Sequence, residues 1–179
     1  MEQKKDQNET TTQKSLWYGK IYTIYWENKK CQRGMVVWKR YVALLRGINI
    51  SGKNKIAMSE LKAGFAELGY TAVSTYLNSG NVVFCADIDD KEGLSNEIRS
   101  MINKRFGLDI PVFVVSQEEL EDILKNAPEW WGDSNKEIYD NLIFMFPNIS
   151  YDSFYNEVGN PKEEYEKIYH YKKCDFLVF

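Results

Sequence analysis

The sequence predicts an α+β protein built from two copies of one small layered unit, the second copy incomplete. Two observations predict this. Between residues 41 and 115 the apolar positions switch between strand-like runs and helical spacing in the order βαββαβ. After a linking helix the order βαββ recurs, and there the chain stops.

Tyr41–Leu45 is an unbroken apolar run, the pattern of a strand buried on both faces. A polar loop, Arg46 to Lys55, follows it. Met58, Leu61, Phe65 and Leu68 then fall at helical spacing, with Ser59 as N-cap and Gly69 as terminator. Val73, Thr75 and Leu77 alternate as a half-buried strand, Asn78 to Asn81 form a turn, and Val82–Cys85 returns as the hairpin partner. Gly80 supplies positive φ in that turn. Leu94, Ile98, Met101 and Ile102 mark a second helix, ending near Gly107. Ile110–Val115 is a fourth strand, and Pro111 makes it an edge.

Ser116 and Glu119 spell a capping box ahead of Leu120, Ile123, Leu124 and Ala127. Trp130 and Trp131 occupy the loop beyond Pro128, where a tryptophan pair suits a junction between domains. A strand at Leu142–Phe146, a helix at Tyr151–Val158 with Phe154 and Val158 on one face, and strands at Ile168–Tyr171 and Phe176–Phe179 complete the pattern.

The order βαββαβ, a central hairpin with a helical crossover on each side, is that of the ferredoxin-like plait. In that plait the first and third strands are central and the fourth is an edge beside the first. We therefore expect one plait subdomain at 35–116, and a linking helix with an incomplete second plait at 117–179. The missing helix and strand would take roughly 30 residues at usual element lengths, which reads as a truncated C-terminus. Residues 1–34 lack periodicity and carry most of the basic excess. Residues 1–40 hold nine Lys/Arg against four Asp/Glu, whereas the remainder is acidic. This head is read as an upstream extension or disordered tail.

Composition narrows the function classes. With 44% hydrophobic and 27% charged residues the chain is neither disordered nor a disulfide scaffold. It lacks both a run of about 18 apolar residues and a signal-peptide core, so no membrane span is expected. Cys31, Cys85 and Cys174 are an odd, widely spaced set, read as free thiols in a reducing cytoplasm and not as a metal site. His170 is the only histidine, so a histidine-based triad or metal centre cannot be assembled, and no cofactor is indicated.

The densest polar stretch is the loop Arg46-Gly47-Ile48-Asn49-Ile50-Ser51-Gly52-Lys53-Asn54-Lys55. Gly47 to Lys53 matches GxxxxGK, but the Ser or Thr of a phosphate-binding P-loop is replaced by Asn54 and the helix begins too late. What survives is a cationic loop. Arg46, Lys53 and Lys55 supply charge, Gly47 and Gly52 let backbone N–H groups approach an anion, and Asn49 and Asn54 add amides. Antiparallel tracing brings Asn81 of the Asn78-Ser79-Gly80-Asn81 turn to the same end of the sheet. The ligand-binding set is thus Arg46, Gly47, Asn49, Gly52, Lys53, Asn54, Asn78, Ser79 and Asn81. Turn chemistry alone also explains the same glycines and asparagines.

The segment YVALLRGINISGKNKIAMSELKAGFAELGY, with STYLNSGNVVF after it, resembles the bacterial domain-of-unknown-function family 1697. The resemblance runs from Tyr41 to Phe179 and implies a pair of ferredoxin-like subdomains. It also implies a start near Met35 and a longer C-terminus. It carries no biochemical activity. The expected function is a small module binding a phosphate-bearing or other anionic ligand at the Arg46–Asn54 loop. The alternatives are an enzyme acting on a phosphorylated small molecule there, with Lys53 as electrostatic stabiliser, and a nucleic-acid-binding plait. The last is disfavoured by the acidic fold and by the missing aromatic signature in Asn81–Cys85.

Overall fold

In the computed structural model, which describes residues 31–33, 36–76, 80–132, 140–146, 150–159, 162, 164 and 166–178, ordered pairing begins upstream of the expected start. Strand β1 (Gln32–Arg33) pairs antiparallel with β2 (Val36–Val37). Cys31, just before this hairpin, is disulfide-bonded to Cys85. The expectation of three free thiols is therefore corrected: among the described residues only Cys174 is free. The inference of a reducing cytoplasm rested on those thiols and loses that support. The rest of the expected extension, residues 1–30 and 34, lies outside the described residues.

Strand β3 (Lys39–Leu45) carries the unbroken apolar run, and the structure shows why the run is unbroken. Tyr41, Ala43 and Leu45 point into the main core, while Val42, turned to the other face, is also buried. Helix α1 (Met58–Glu67), β4 (Thr71–Tyr76), β5 (Asn81–Ala86), α2 (Lys91–Phe106) and β6 (Val112–Ser116) follow. The four strands form one antiparallel sheet in the order β4-β5-β3-β6. The first and third strands are inside, and β6 is an edge that begins immediately after Pro111. That placement costs no ladder bond, because proline has no N–H to donate.

The core of this unit centres on Phe84. Its ring lies 5.3 Å from Phe65 of α1, 4.8 Å from Tyr70 and 5.7 Å from Tyr41. The two ring hydroxyls that enter with the core are satisfied at its rim. Tyr41 donates to the Ile88 carbonyl at 2.9 Å, and Tyr70 donates to Glu97. Burial, helped by the Asp89 carboxylate, pushes the Tyr41 phenol up to about 12.

Helix ends depart from expectation at two places, the start of α1 and the end of the linking helix, which stops at Lys125 and leaves Ala127 outside it. Helix α1 starts at Met58 with Ala57 as N-cap and no side-chain cap, so Ser59 sits inside the first turn and is not the cap. Helix α2 is capped by Asp90, which accepts from the Gly93 N–H at 3.0 Å, and Gly107 ends it in the left-handed region. The capping box before α3 (Gln117–Lys125) is reciprocal: Glu119 N–H donates to Ser116 Oγ, and Ser116 N–H donates to Glu119 Oε2, both at 3.2 Å. Strand β4 starts two residues earlier than its alternation suggests. It carries a bulge between Thr71 and Ser74, with Ala72 at φ 50°.

The chain divides into two compact units, Ile24–Glu121 and a second holding Asp122–Phe179. In the second, β7 (Asp140–Phe144), α4 (Tyr151–Val158), β8 (Lys167–Tyr171) and β9 (Cys174–Val178) give an antiparallel sheet in the order β7-β9-β8. Its third strand lies between the other two, as in the first unit. Strands β7 and β9 both begin two residues before the expected positions. The reason in β9 is Asp175, which breaks the apolar pattern yet is fully buried. Its carboxylate lies 2.7 Å from His170 Nδ1 and accepts from the Tyr155 hydroxyl at 3.2 Å. Trp131 is a core residue of this unit, edge-on to Phe176 at 5.1 Å, and its indole N–H donates to the Asn141 carbonyl at 3.0 Å. The side chains of Phe154 and Val158, and residue Phe179, lie outside the described set.

Two outcomes are expected. Phe84→Ala should lower the unfolding free energy by about 3–5 kcal/mol, read from urea denaturation, because one residue anchors three ring contacts. Burial, reinforced by the Asp175 carboxylate, pushes the Cys174 thiol up to about 12. At pH 8 it stays protonated in the folded chain, so iodoacetamide should modify Cys174 only under denaturing conditions, as followed by mass spectrometry.

Candidate functional site

The loop Arg46–Lys55 leaves the sheet from a strand end held on both sides. Leu44 is in register with Asn81 of β5. Leu45 N–H donates to the Gly80 carbonyl, and Arg46 N–H donates to the Pro111 carbonyl, each at 3.1 Å. Gly80 has φ 79°, and a Cβ there would lie 2.9 Å from Ile48 and 3.0 Å from the Leu45 carbonyl oxygen. Only glycine fits both constraints, so the turn before β5 and the loop after β3 meet at one end of the sheet. Asn78 and Ser79, expected to face the same ligand, lie outside the described residues.

The loop closes on itself. Asn49 N–H donates to the Asn54 carbonyl at 3.1 Å. The Asn49 side chain grips Ile56 at both backbone groups, accepting from its N–H at 2.9 Å and donating to its carbonyl at 3.1 Å. Asn54 donates from Nδ2 to the Gly47 carbonyl at 2.9 Å. Ile50 and Lys53 pair across the two-residue turn Ser51-Gly52, where both φ angles are positive, as a tight hairpin of this length requires. Ile48 and Ile56 are buried under the ends of the loop. Five residues in it, Gly47, Asn49, Ser51, Gly52 and Asn54, have positive φ. The glycines and asparagines therefore first serve the loop's own geometry. Asn49 and Asn54 each donate a side-chain amide hydrogen to a backbone carbonyl, which makes them residues that set the loop's shape.

What the loop presents outward is charge. Arg46, Ser51, Gly52, Lys53, Asn54 and Lys55 are exposed. No side-chain ion pair holds Arg46, Lys53 or Lys55 among the described residues. Elsewhere in the same unit Lys39, Lys91, Arg99 and Arg105 are each paired with carboxylates. Ile50 stands at the tip of the hairpin, 62% exposed. Its position was not singled out from sequence, and the turn Ser51-Gly52 is the signal that would have done so. The sheet is antiparallel and α1 begins only at Met58, so a P-loop arrangement is absent from this loop. Among the described residues no group of three or more His, Cys, Asp or Glu is placed to hold a metal, and no helix is long and apolar enough to cross a membrane.

Comparison with known proteins places the chain in context. A family model described as "Protein of unknown function (DUF1697)" matches residues 38–176. Among solved structures, a conserved bacterial protein from Streptococcus pneumoniae is similar at 30% identity and a TM-score of 0.68, over 79% of this chain and 77% of that one. No curated protein matches the sequence.

The clip on Ile56 generates a prediction of its own. Asn49→Ala should cost about 1–3 kcal/mol by urea denaturation, since two buried backbone groups lose their partner. Asn49→Gly keeps the positive φ at no steric cost but loses the clip. It should fall between wild type and the alanine variant, and in both variants loop amides should exchange faster with solvent.

Proposed function

Starting from a chain that belongs to the DUF1697 family, we propose that it is a small ligand-binding module that holds a phosphate-bearing or other anionic small molecule on the Arg46–Lys55 loop. One observation carries the reading. Three exposed cations without ion-pair partners among the described residues stand together on one loop whose shape is set by its own hydrogen bonds, in a unit where Lys39, Lys91, Arg99 and Arg105 are paired and Lys62 and Lys104 stand singly on helices. A preformed loop loses little conformational entropy on binding, and short-range charge-assisted hydrogen bonds outweigh screening over about 8 Å at physiological salt. Arg46 and Lys53 would contact the anion, with Gly52 offering backbone N–H at a positive-φ turn. Gly47, Asn49 and Asn54 would hold the loop, and Asn81 would stand beside it on β5.

The scaffold reading goes with this. The order β4-β5-β3-β6 with α1 and α2 as crossovers supports a ferredoxin-like plait for the first unit. The order β7-β9-β8 supports the same plait without its fourth strand among the described residues of the second.

The test is thermal denaturation in inorganic phosphate and in pyrophosphate, with chloride at matched ionic strength as control. Near-saturating anion should raise the wild-type Tm by several degrees, since about 100-fold excess over Kd adds about 2.7 kcal/mol. Lys53→Ala and Arg46→Ala should each remove most of that rise while leaving the anion-free Tm within about a degree, as exposed-charge substitutions do. An equal rise in chloride, or a rise that survives in Arg46→Ala/Lys53→Ala, would contradict the proposal.

A further inference from the structure

Cys85 is fully buried in the inner strand β5. Its neighbours Phe84 and Ala86 belong to the core that includes residues of α1 and α2. Strand alternation therefore turns Cys85 to the opposite face of the sheet. On that face Cys85 stands across from Arg40, Val83 across from Val42, and Val42 across from Val115. Val42, Val83 and Val115 are all buried. Cys31, half-buried and 54 residues upstream, reaches Cys85 with a Cα–Cα separation of 5.7 Å. The β1–β2 hairpin that follows Cys31 has only two residue pairs, Gln32 with Val37 and Arg33 with Val36. A two-stranded ribbon of that size does not hold itself together in water.

From the covalent tie and the short hairpin together, we propose that the Cys31–Cys85 bond is a redox-sensitive clasp: oxidised, it fixes Cys31–Arg33 and Val36–Val37 at the face of the first sheet opposite α1 and α2, and reduced, it lets them go. The chemistry needs two equivalents of a small thiol, or one dithiol. A thiolate attacks the more accessible Cys31 sulfur, the Cys31–Cys85 bond breaks, and Cys85 leaves as thiolate and takes up a proton. A second thiol attacks the sulfur of the reductant in that mixed disulfide, and Cys31 leaves as the second thiol. The two electrons and two protons come from the reductant, which departs as its own disulfide. Cys174, buried in the other unit's sheet, takes no part.

The experiment uses the full chain in three states: air-oxidised, reduced with dithiothreitol, and reoxidised with diamide. Iodoacetamide labelling after denaturation should add one label to the oxidised chain and three to the reduced one. Trypsin cleavage after Arg33, and hydrogen exchange at residues 31–33, 36 and 37, should then be roughly tenfold faster or more in the reduced chain, because local opening governs both rates. Reoxidation should reverse this, and amides of α1 and α2 should keep their protection throughout. Cys31→Ser should behave as the reduced chain under either condition, which guards against a Cys85 substitution failing to fold. Three labels on the oxidised chain, equal cleavage rates in both states, a slow Cys31→Ser variant, or loss of α1 and α2 protection on reduction would each overturn the clasp.

Discussion

Strand β3 has no free side, and the first unit is organised around that. Its backbone is hydrogen-bonded to β5 on one edge and β6 on the other, and both its faces are buried. A strand so enclosed cannot shift register by one residue, because a shift would exchange Tyr41, Ala43 and Leu45 with Arg40, Val42 and Leu44 across the sheet. The end of β3 is therefore fixed in space. Bonds to Gly80 and Pro111 at that end determine where the next residues emerge.

The loop that emerges there combines two kinds of constraint. Buried Ile48 and Ile56 tie its ends to the core, and Asn49 and Asn54 close its interior. Side chains that build this shape point inward or along the backbone. The remaining ones, Arg46, Lys53, Lys55 and Ile50, are left to the solvent. Such a division between residues that make a loop and residues that a loop displays is what lets a short segment present charge without first being ordered by its ligand.

Much of the fold was legible because its signals are local. The apolar run of β3, the helical spacing of α2 and the Ser116/Glu119 box each state their structure within a few residues. The parts that were not legible depend on partners far along the chain. Asp175 looks like a strand breaker until His170 and Tyr155 are placed on its two carboxylate oxygens. Cys31 and Cys85 read as independent thiols because 54 residues separate them. Ser59 looked like the cap of α1, yet the helix takes in Met58 and leaves that end without a side-chain cap. In the loop the residue set was visible from sequence, but the tasks within it were not. Asn49 reads as a free amide donor, and its clip on Ile56 seven residues on has no local signature.

The central claim is that this loop binds an anion in the shape it already has. A ¹H–¹⁵N correlation spectrum of the full chain, titrated with pyrophosphate at constant ionic strength, tests it most directly. The account predicts saturable shifts confined to backbone amides of the loop and its neighbour on β5, among them Gly47, Ser51, Gly52, Lys53 and Asn81, with the rest of the spectrum unmoved. Shifts that fail to saturate, or that spread over surface lysines such as Lys62 and Lys104 as strongly as over the loop, would contradict it.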